Sequence, residues 1–389
     1  MLYGDIAHAI GNPAHESIAA RIYKNDGTGI GLFVLQEDCT TESFIRTAFY
    51  ANSNSEMPKG PIYDCATGAD FNSNTDLAGF ISSDGAADPK NELLEMTKKL
   101  AQVDVMNAES VKDFDENWLE LDTLFRALAL EYLAGHWDSY WYMTTNFVVY
   151  HPPAETEGPE WMWNKLRFYF IDQDFDQTWG SNMKGTYDAL NYPSKPYTTY
   201  VNQNADFWKG LNSEEEYEPG TRIILNKFLG CDGKAQECVT KTYFENHLKD
   251  IVQHIFNPVA IGRKVEGYKK RLSDEIRWDT QLTRLHKGES SKFHFTYDDF
   301  IGNIDHGVGA FPYGIMDWTE KIANTVCQQF QIEYDSVALT PQTAEQFEAQ
   351  TIEAGAAYDA DNLNSGSFMN TANIAMVTIA TLLSAVLLF

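Results

Sequence analysis

The chain has 389 residues and a mass of 44.0 kDa, enough for one large two-lobed domain or two ordinary ones, and 43% hydrophobic with 13% aromatic residues supplies material for a sizeable core. Lysine and arginine number 29 against 56 aspartates and glutamates, a net charge of -27. Such a surface repels phosphate backbones and anionic lipid headgroups, which argues against bulk nucleic-acid binding.

Leu2 to Ile10 reads as a helix already in progress with no cap before it. The opening MLYGDIAHAIGNP has no cationic n-region, apolar h-region or cleavage site, so the sequence is expected to start downstream of the true start of a secreted protein. Ile18 to Lys24, then Asn25-Asp26-Gly27, then Gly31 to Leu35 predicts a β-hairpin. The GTGIG run at 27–31 invites comparison with a phosphate-cradling glycine loop, but turn glycines in a hairpin account for it. Residues 50 to about 92 read as a long irregular excursion with a short strand at Gly60 to Asp64. Helical patterning starts near Asn91. It returns at Asp122, expected to cap a helix from Thr123 to Ala134 that Gly135 stops. His136 to Tyr150 leaves the helix and ends in a strand, NFVVY; after a Pro/Glu loop, a second strand from Leu166 to Ile171 runs into DQDFDQTWG.

Five cysteines are too few for a disulfide scaffold, and the odd count leaves at least one unpaired within the chain. Cys231 and Cys238 bracket a turn-rich loop and are expected to pair in an oxidising compartment; with no CxxC pair, a structural zinc ribbon has no support. Beyond them, Thr242 and Glu245 predict a capping box for a helix whose apolar face is Phe244, Leu248, Ile251 and Ile255, broken at Asn257-Pro258. Further helices are expected over Val259 to Ile276 and Asp317 to Gln329, followed by a polar stalk from Ser336 onward. At the C-terminus, small residues at Asn364, Ser365 and Gly366, a polar spacer and sixteen uncharged residues from Ile374 to Phe389 match a GPI-attachment signal, with those three as candidate attachment residues. A tail-anchored span or a buried helix are the alternatives for that tail.

The residues with chemistry stand on two turns. Asp138 lies in the turn after a helix, Asn146 opens a strand, and Asp174 and Asp176 follow the next strand as D-F-D. Hard divalent cations take oxygen ligands, and phosphoryl transfer needs a carboxylate for the acceptor hydroxyl together with an amide and a carboxylate for the metal. The alternation of Asp172, Asp174 and Asp176 is also open to a calcium loop, although Gln177 and Met183 stand where such a loop has Gly and Glu, or to a purely structural acidic turn. A hydrolase fares poorly: there is no GxSxG and no HExxH, and His136 with Trp137, Tyr140, Trp141 and Tyr142 reads as packing behind the turn rather than as a base with a binding platform.

RALALEYLAGHWDSYWYMTTNFVVY and FYFIDQDFDQTWG closely resemble the CotH (spore coat protein H) kinase-like family, most of all its fungal GPI-anchored surface branch of mucoralean type. The GIGLFVLQED hairpin, FNP at 256–258, EIRWD at 275–279 and YGIMDW at 313–318 support the match. The resemblance implies an α+β, atypical protein-kinase-like bilobal fold with ATP and Mg2+ (or Mn2+) as cofactors. Residues 1–120 would be the remainder of a small lobe cut short at its N-terminus, 121–335 a mainly helical large lobe, 336–366 a stalk, and 367–389 the GPI spacer and tail. Carried over by motif, Asp138 would be catalytic and Asn146, Asp174 and Asp176 metal-binding. Asn146 lies eight residues after Asp138, a longer interval than in most kinases, and no Lys or Arg is assigned to the nucleotide phosphates. The implied activity is transfer of phosphate from ATP to Ser/Thr hydroxyls of proteins at the cell surface or in the secretory pathway. The alternative is a non-catalytic adhesin or invasin-like protein that keeps the kinase-like shell and binds a host or cell-wall partner.

Overall fold

The computed structural model describes residues 1–50, 60–83, 90–153, 167–183, 191–211, 222–283 and 295–339. In chain order these form α1 (Leu2–Ala9), β1 (Ser17–Tyr23), β2 (Gly29–Gln36), α2 (Glu42–Tyr50), β3 (Ile62–Cys65), β4 (Phe80–Ser82), α3 (Asn91–Gln102), α4 (Ala108–Asn117), α5 (Leu121–Ala134), β5 (Phe147–Tyr150), β6 (Tyr169–Asp172), α6 (Ala205–Leu211), α7 (Val239–His254), α8 (Pro258–Thr280), α9 (Tyr297–Asp305), β7 (His306–Val308), β8 (Phe311–Tyr313) and α10 (Ile315–Phe330). The expected stalk from residue 340 onward, the apolar tail, Leu166 and the candidate attachment residues Asn364, Ser365 and Gly366 lie outside the described residues. Among the described residues no helix is long and apolar enough to cross a membrane.

The architecture is mixed, helices packed on a four-stranded antiparallel sheet of order β4-β3-β5-β6. Side chains along a strand alternate between faces, and here both faces are covered. Tyr63, Cys65, Phe147, Val149 and Phe170 enter the main core. Ile62, Val148, Tyr150 and Ile171 form a smaller cluster with Phe44 and Ile45 of α2. This explains why β5 reads as an unbroken apolar run. The main core continues through α5, which packs against α7 and β6 and is buried along nearly its whole length. One core thus runs through both halves of the chain on either side of residue 120.

The hairpin β1–β2 forms as its glycines and alternation predict. Gly27 turns with φ +83°, and Gly29 sits so close to Trp278 of α8 that a Cβ would lie 3.0 Å from the indole. The glycines of GTGIG therefore serve the turn and the seat on α8, where Arg21 pairs with Glu275 and the Leu32 amide donates to Asp279 Oδ1 at 2.8 Å.

Two predicted caps are corrected. The side chain that accepts the Thr123 amide is Glu120, two residues earlier than expected, while Asp122 faces Arg126 and His247, each at 2.8 Å. Asp122 is drawn into the helix because the Arg126 guanidinium and the His247 ring there hold its carboxylate better than a terminal amide does. Thr242 and Glu245 make no capping box: the cap of α7 is Cys238, the Thr242 hydroxyl donates back to the Cys238 carbonyl, and Glu245 accepts from the Tyr197 hydroxyl. Asn257 does end one helix and begin the next, its side chain accepting from the amides of Val259 and Ala260. The helices α2 and α4 stand where the sequence carried no expectation, and the strand β4 falls within the stretch expected to be irregular, where it pairs with β3.

Cys231 and Cys238 are joined by a disulfide with their Cα atoms 5.5 Å apart, while Cys39, Cys65 and Cys327 are free. The bridge closes the loop between the turn at Leu225–Leu229 and α7. Replacing both cysteines by serine is expected to lower unfolding stability by about 2 kcal/mol, the loop entropy a bridge of this span removes from the unfolded chain; urea denaturation with and without reductant checks this.

Candidate functional site

The site begins where α5 stops. Gly135 takes a left-handed backbone, φ +59°, and its amide and that of His136 cap the helix by bonding Tyr132 and Glu131 carbonyls. The reversed chain carries His136 inward and Asp138 to a half-buried position. On the neighbouring hairpin, Asn146 precedes β5 and Gln173 follows β6; the Gln173 amide donates to the Asn146 carbonyl at 3.1 Å and so continues the ladder into the two turns. This register brings Asp138 and Asn146 together: the Asn146 amide Nδ2 donates to Asp138 Oδ2 at 2.9 Å. Asn146 and Asp174 both adopt left-handed backbones, φ +54° and +56°. Such positions cost energy in any residue but glycine, least so in Asn and Asp, and they concentrate where a side chain must be aimed.

After β6 the three aspartates part company. Asp172 turns inward and accepts the Tyr3 hydroxyl at 2.7 Å. Asp174 and Asp176 are exposed, while Phe175 between them is buried, stacked on Tyr3 and His15 with ring centroids 4.2 and 4.3 Å away. With Asp172 engaged in the core, the alternating run does not converge on one point as a calcium loop would, and the helix α1 holds the turn from beneath through Tyr3. Among the described residues no group of three or more His, Cys, Asp or Glu side chains is arranged to hold a metal ion by itself.

His136 ties the two turns. Its Nε2–H is directed to the Asp174 carbonyl oxygen at 3.0 Å, and the same nitrogen lies 3.3 Å from Asp138 Oδ1. Burial alone would lower the imidazole's pKa; the Asp138 carboxylate, helped by Asp172, overrides burial and raises it. The Asp138 oxygen facing it is buried and receives no directed hydrogen bond, so it is held by the imidazole's charge. The Asp138 side chain is 16% exposed, and with Oδ1 enclosed the edge that meets solvent is the Oδ2 side.

Asp174 and Asp176 have raised pKa values, first because they are partly desolvated and then because Asp138, and for Asp176 also Asp174, repels a further negative charge. Two carboxyls whose ionisation is disfavoured beside a third favour a cation between them. The donors on offer are oxygens: the Asp174 and Asp176 carboxylates and the Asn146 amide oxygen, whose nitrogen is already spent on Asp138. That set fits Mg2+ or Mn2+ bound through one or two carboxylates with the remaining positions filled by substrate phosphate and water, and does not make an all-protein cage.

Beneath the site lies a buried acid pair that the sequence did not single out. Glu131 of α5 accepts the Trp141 amide through one oxygen at 3.3 Å and faces Asp172 with the other; Glu131 Oε1 and Asp172 Oδ1 are buried without any other partner. One proton between them satisfies both, and burial, then the charge of Asp172, pushes the Glu131 pKa well up. The aromatic cluster behind the turn packs as read: Tyr140 and Trp141 are buried, the first donating to Asp70 and the second to the Leu128 carbonyl. Trp137 is half-buried, and its indole N–H reaches the Ser181 carbonyl at 2.9 Å. The other contribution missed is Trp318 of α10. Its ring fills the space above two glycines: a Cβ on Gly135 would lie 2.3 Å from it and one on Gly180, 2.8 Å. Neither Tyr3, 169 positions from Asp172, nor Trp318, 185 positions from the Leu133 carbonyl its indole bonds, leaves a local signal.

A family model described as "CotH kinase protein" matches residues 1–306, and the chain belongs to that family. Among similar proteins, Invasin CotH7 of Rhizopus delemar is 30% identical over 309 residues, covering 79% of this chain and 46% of its own length. Invasin CotH3 of the same organism is 28% identical, covering 88% of this chain and 53% of itself. Spore coat protein homolog 1, also from Rhizopus delemar, is 28% identical, covering 82% and 47%. The chain spans about half the length of these relatives.

Two outcomes test the site's architecture. Gly135→Ala should destabilise the fold by about 3 kcal/mol, from a left-handed alanine and a collision with Trp318, measured by chemical denaturation. For Glu131, the unfolded carboxyl titrates near about 4.3 and the folded one well above it, so its ionisation costs stability as pH rises past that value. Glu131→Gln should therefore flatten the fall in melting temperature between acidic and alkaline pH.

Proposed function

We propose that this protein is an atypical, kinase-like phosphotransferase that moves the terminal phosphate of ATP to Ser/Thr hydroxyls of proteins, with Asp138 as the catalytic carboxylate and Asn146, Asp174 and Asp176 as the groups that hold Mg2+ or Mn2+. The observation that carries the reading is the geometry of Asp138. Its Oδ1 faces His136 at 3.3 Å and its Oδ2 accepts from Asn146 at 2.9 Å, which fixes the carboxylate plane beside the D-F-D turn. Oδ2 keeps a lone pair for an acceptor hydroxyl, and His136 beside Oδ1 holds the carboxylate in place. Asn146 both orients Asp138 and presents its amide oxygen to the metal side. A bound metal–nucleotide complex would supply charge neutralisation across the phosphate oxygens. Membership of the CotH kinase family supports the same reading. We further propose a surface or secretory-pathway location with a GPI anchor at Asn364, Ser365 or Gly366. Support comes from the small-residue, spacer and apolar-tail pattern, and release by phosphatidylinositol-specific phospholipase C from cells expressing the full protein tests it.

A second reading, a surface binding protein that keeps the kinase-like shell, is favoured by one observation: Ile18, Phe33, Val34 and Leu35 of the β1–β2 hairpin are 61%, 47%, 52% and 48% exposed. Three of the similar proteins carry the name invasin.

Transfer of labelled phosphate from ATP to a protein acceptor separates them. On the kinase reading Asp138→Asn lowers transfer by at least about 100-fold, the usual scale of a lost general base, while leaving the melting temperature near that of the parent. ATP with Mg2+ or Mn2+ should raise the parent's melting temperature, and Asp174→Asn together with Asn146→Ala should remove that rise. No transfer and no nucleotide-dependent rise would leave the binding-protein reading standing.

A further inference from the structure

Asp138 and Asn146 meet at 2.9 Å although they stand eight positions apart. A chain segment of that length can close in many ways, so contacts around it must select the one that brings these two side chains together. Part of the selection comes from α5 and from the segment itself: the Trp141 amide donates to Glu131 at 3.3 Å, and the Met143 amide to the Ser139 carbonyl at 3.1 Å. The rest comes from two stretches remote in sequence.

The first is the loop after β3. The Gly68 amide donates to the Thr144 hydroxyl at 3.1 Å and the Ala69 amide to the Thr144 carbonyl at 3.0 Å, while the Cys65 carbonyl accepts the Asn146 amide at 3.2 Å. Thr144 is fully buried with a left-handed backbone, φ +47°, a conformation costly for a β-branched residue and held here by those bonds. The second is the stretch from Arg222 to Ile224. The buried Arg222 guanidinium donates to the Trp141 carbonyl at 3.0 Å and to the Tyr142 carbonyl, and the Ile224 amide donates to the Tyr140 hydroxyl at 3.0 Å.

Asp70 joins the two stretches. Its carboxylate accepts the Tyr140 hydroxyl at 2.7 Å, the Ile223 amide at 3.2 Å and, within its own loop, the Phe71 amide at 2.9 Å. Desolvation raises its pKa to about 6, against the Tyr140 hydroxyl, the Arg222 charge and the two amides, so at neutral pH it is ionised and can accept all three donors. One carboxylate thus binds the loop after β3, the 222–224 stretch and the segment that follows Asp138 into a single unit.

We infer that Asp70, Tyr140, Thr144 and Arg222 form a clamp of positioning residues that sets the placement of Asn146 against Asp138. The inference rests on the phosphotransferase reading for its effect on catalysis, but the contact it governs can be observed without any transfer. Loosening the clamp releases residues 139–145, and Asn146 then bonds Asp138 and presents its amide oxygen to the metal side for a smaller share of the time. Asp138 keeps His136 beside it, so the chemistry slows and does not stop.

The test follows the Asn146 side-chain amide in a proton–nitrogen correlation spectrum of protein carrying nitrogen-15 asparagine, the signal being assigned by its loss in Asn146→Ala. Tyr140→Phe removes the hydroxyl shared by Asp70 and Ile224, Asp70→Asn removes the charge, and Thr144→Ala cuts the bond from Gly68. Each should move the signal toward the position of a solvent-exposed asparagine amide, whereas Thr144→Ser, which keeps the hydroxyl, should leave it at the parental position. The three loosening variants should also lower kcat for transfer from ATP to a serine-rich peptide about tenfold, the upper scale of one hydrogen bond, with KM for the peptide unchanged. Leu248→Ala, which opens a cavity in the core at α7, is the control: it should lower the melting temperature and leave the signal in place, because the spectrum reports folded molecules. A parental signal in all three loosening variants, or an equal displacement in Leu248→Ala, overturns the clamp, and so does transfer at the parental rate by those variants. A parental signal in them beside an active parent removes the clamp and leaves the phosphotransferase standing. A displaced signal in variants of a parent that transfers no phosphate supports the clamp and removes the phosphotransferase.

Discussion

The Trp318 indole is the wedge on which the site depends. It is fully buried, its N–H donates to the Leu133 carbonyl at 2.9 Å, and its ring lies on the backbones of Gly135 and Gly180. The first glycine releases the chain from α5 toward Asp138; the second ends the segment that carries Asp174 and Asp176. Because each glycine lacks a Cβ, one flat ring touches both turns, and the Trp179 amide bonded to the Ala134 carbonyl closes the remaining gap. Two loops of unrelated sequence position are thereby held as one rigid piece. That arrangement matters because a site of charged oxygens is otherwise driven apart by its own repulsion.

The electrostatics follow from that constraint. Asp174 and Asp176 resist ionisation, first because they are partly desolvated and then because of the neighbouring carboxylates, and the group facing Asp138 is an imidazole buried beneath it, its pKa raised against burial by the Asp138 carboxylate. His136 does not cancel the cluster, since its single charge is divided between Asp138 and Asp172. The remaining negative potential points outward, through the exposed edges of Asp174 and Asp176. Burial, as the first cause, raises the pKa values of both Glu131 and Asp172. The site thus spends its excess negative charge on the side where a cation and phosphates can approach.

Much of the local structure was legible. The hairpin at 17–36, the strand ending at Tyr150, the stop at Gly135, the Asn257-Pro258 boundary and the long helices after it follow from alternation, glycine and proline placement and amphipathic spacing. These signals are short-range, and they hold because the tertiary structure has no reason to oppose them. The errors share a cause as well. Asp122 was a sound cap by residue type, but Arg126 and His247 captured it; Thr242 and Glu245 had capping-box spacing, but the helix began at Val239 because Cys238 is anchored by its bridge to Cys231. In each case a partner outside the reading window offered a stronger interaction.

The sequence by itself determined the inventory and order of the chemistry: a carboxylate after a helix stop, an amide at a strand's start, acids after the paired strand, and the family to which these motifs belong. Those are properties of residue type and spacing, which are fixed covalently. Tertiary structure decided which acids face the solvent and which the core, that His136 bridges Asp138 and the Asp174 carbonyl, and that Tyr3 and Trp318 hold the turns from opposite ends of the chain. Such decisions depend on contacts between residues 38 to 185 positions apart, whose energies exist only once the core has closed around them.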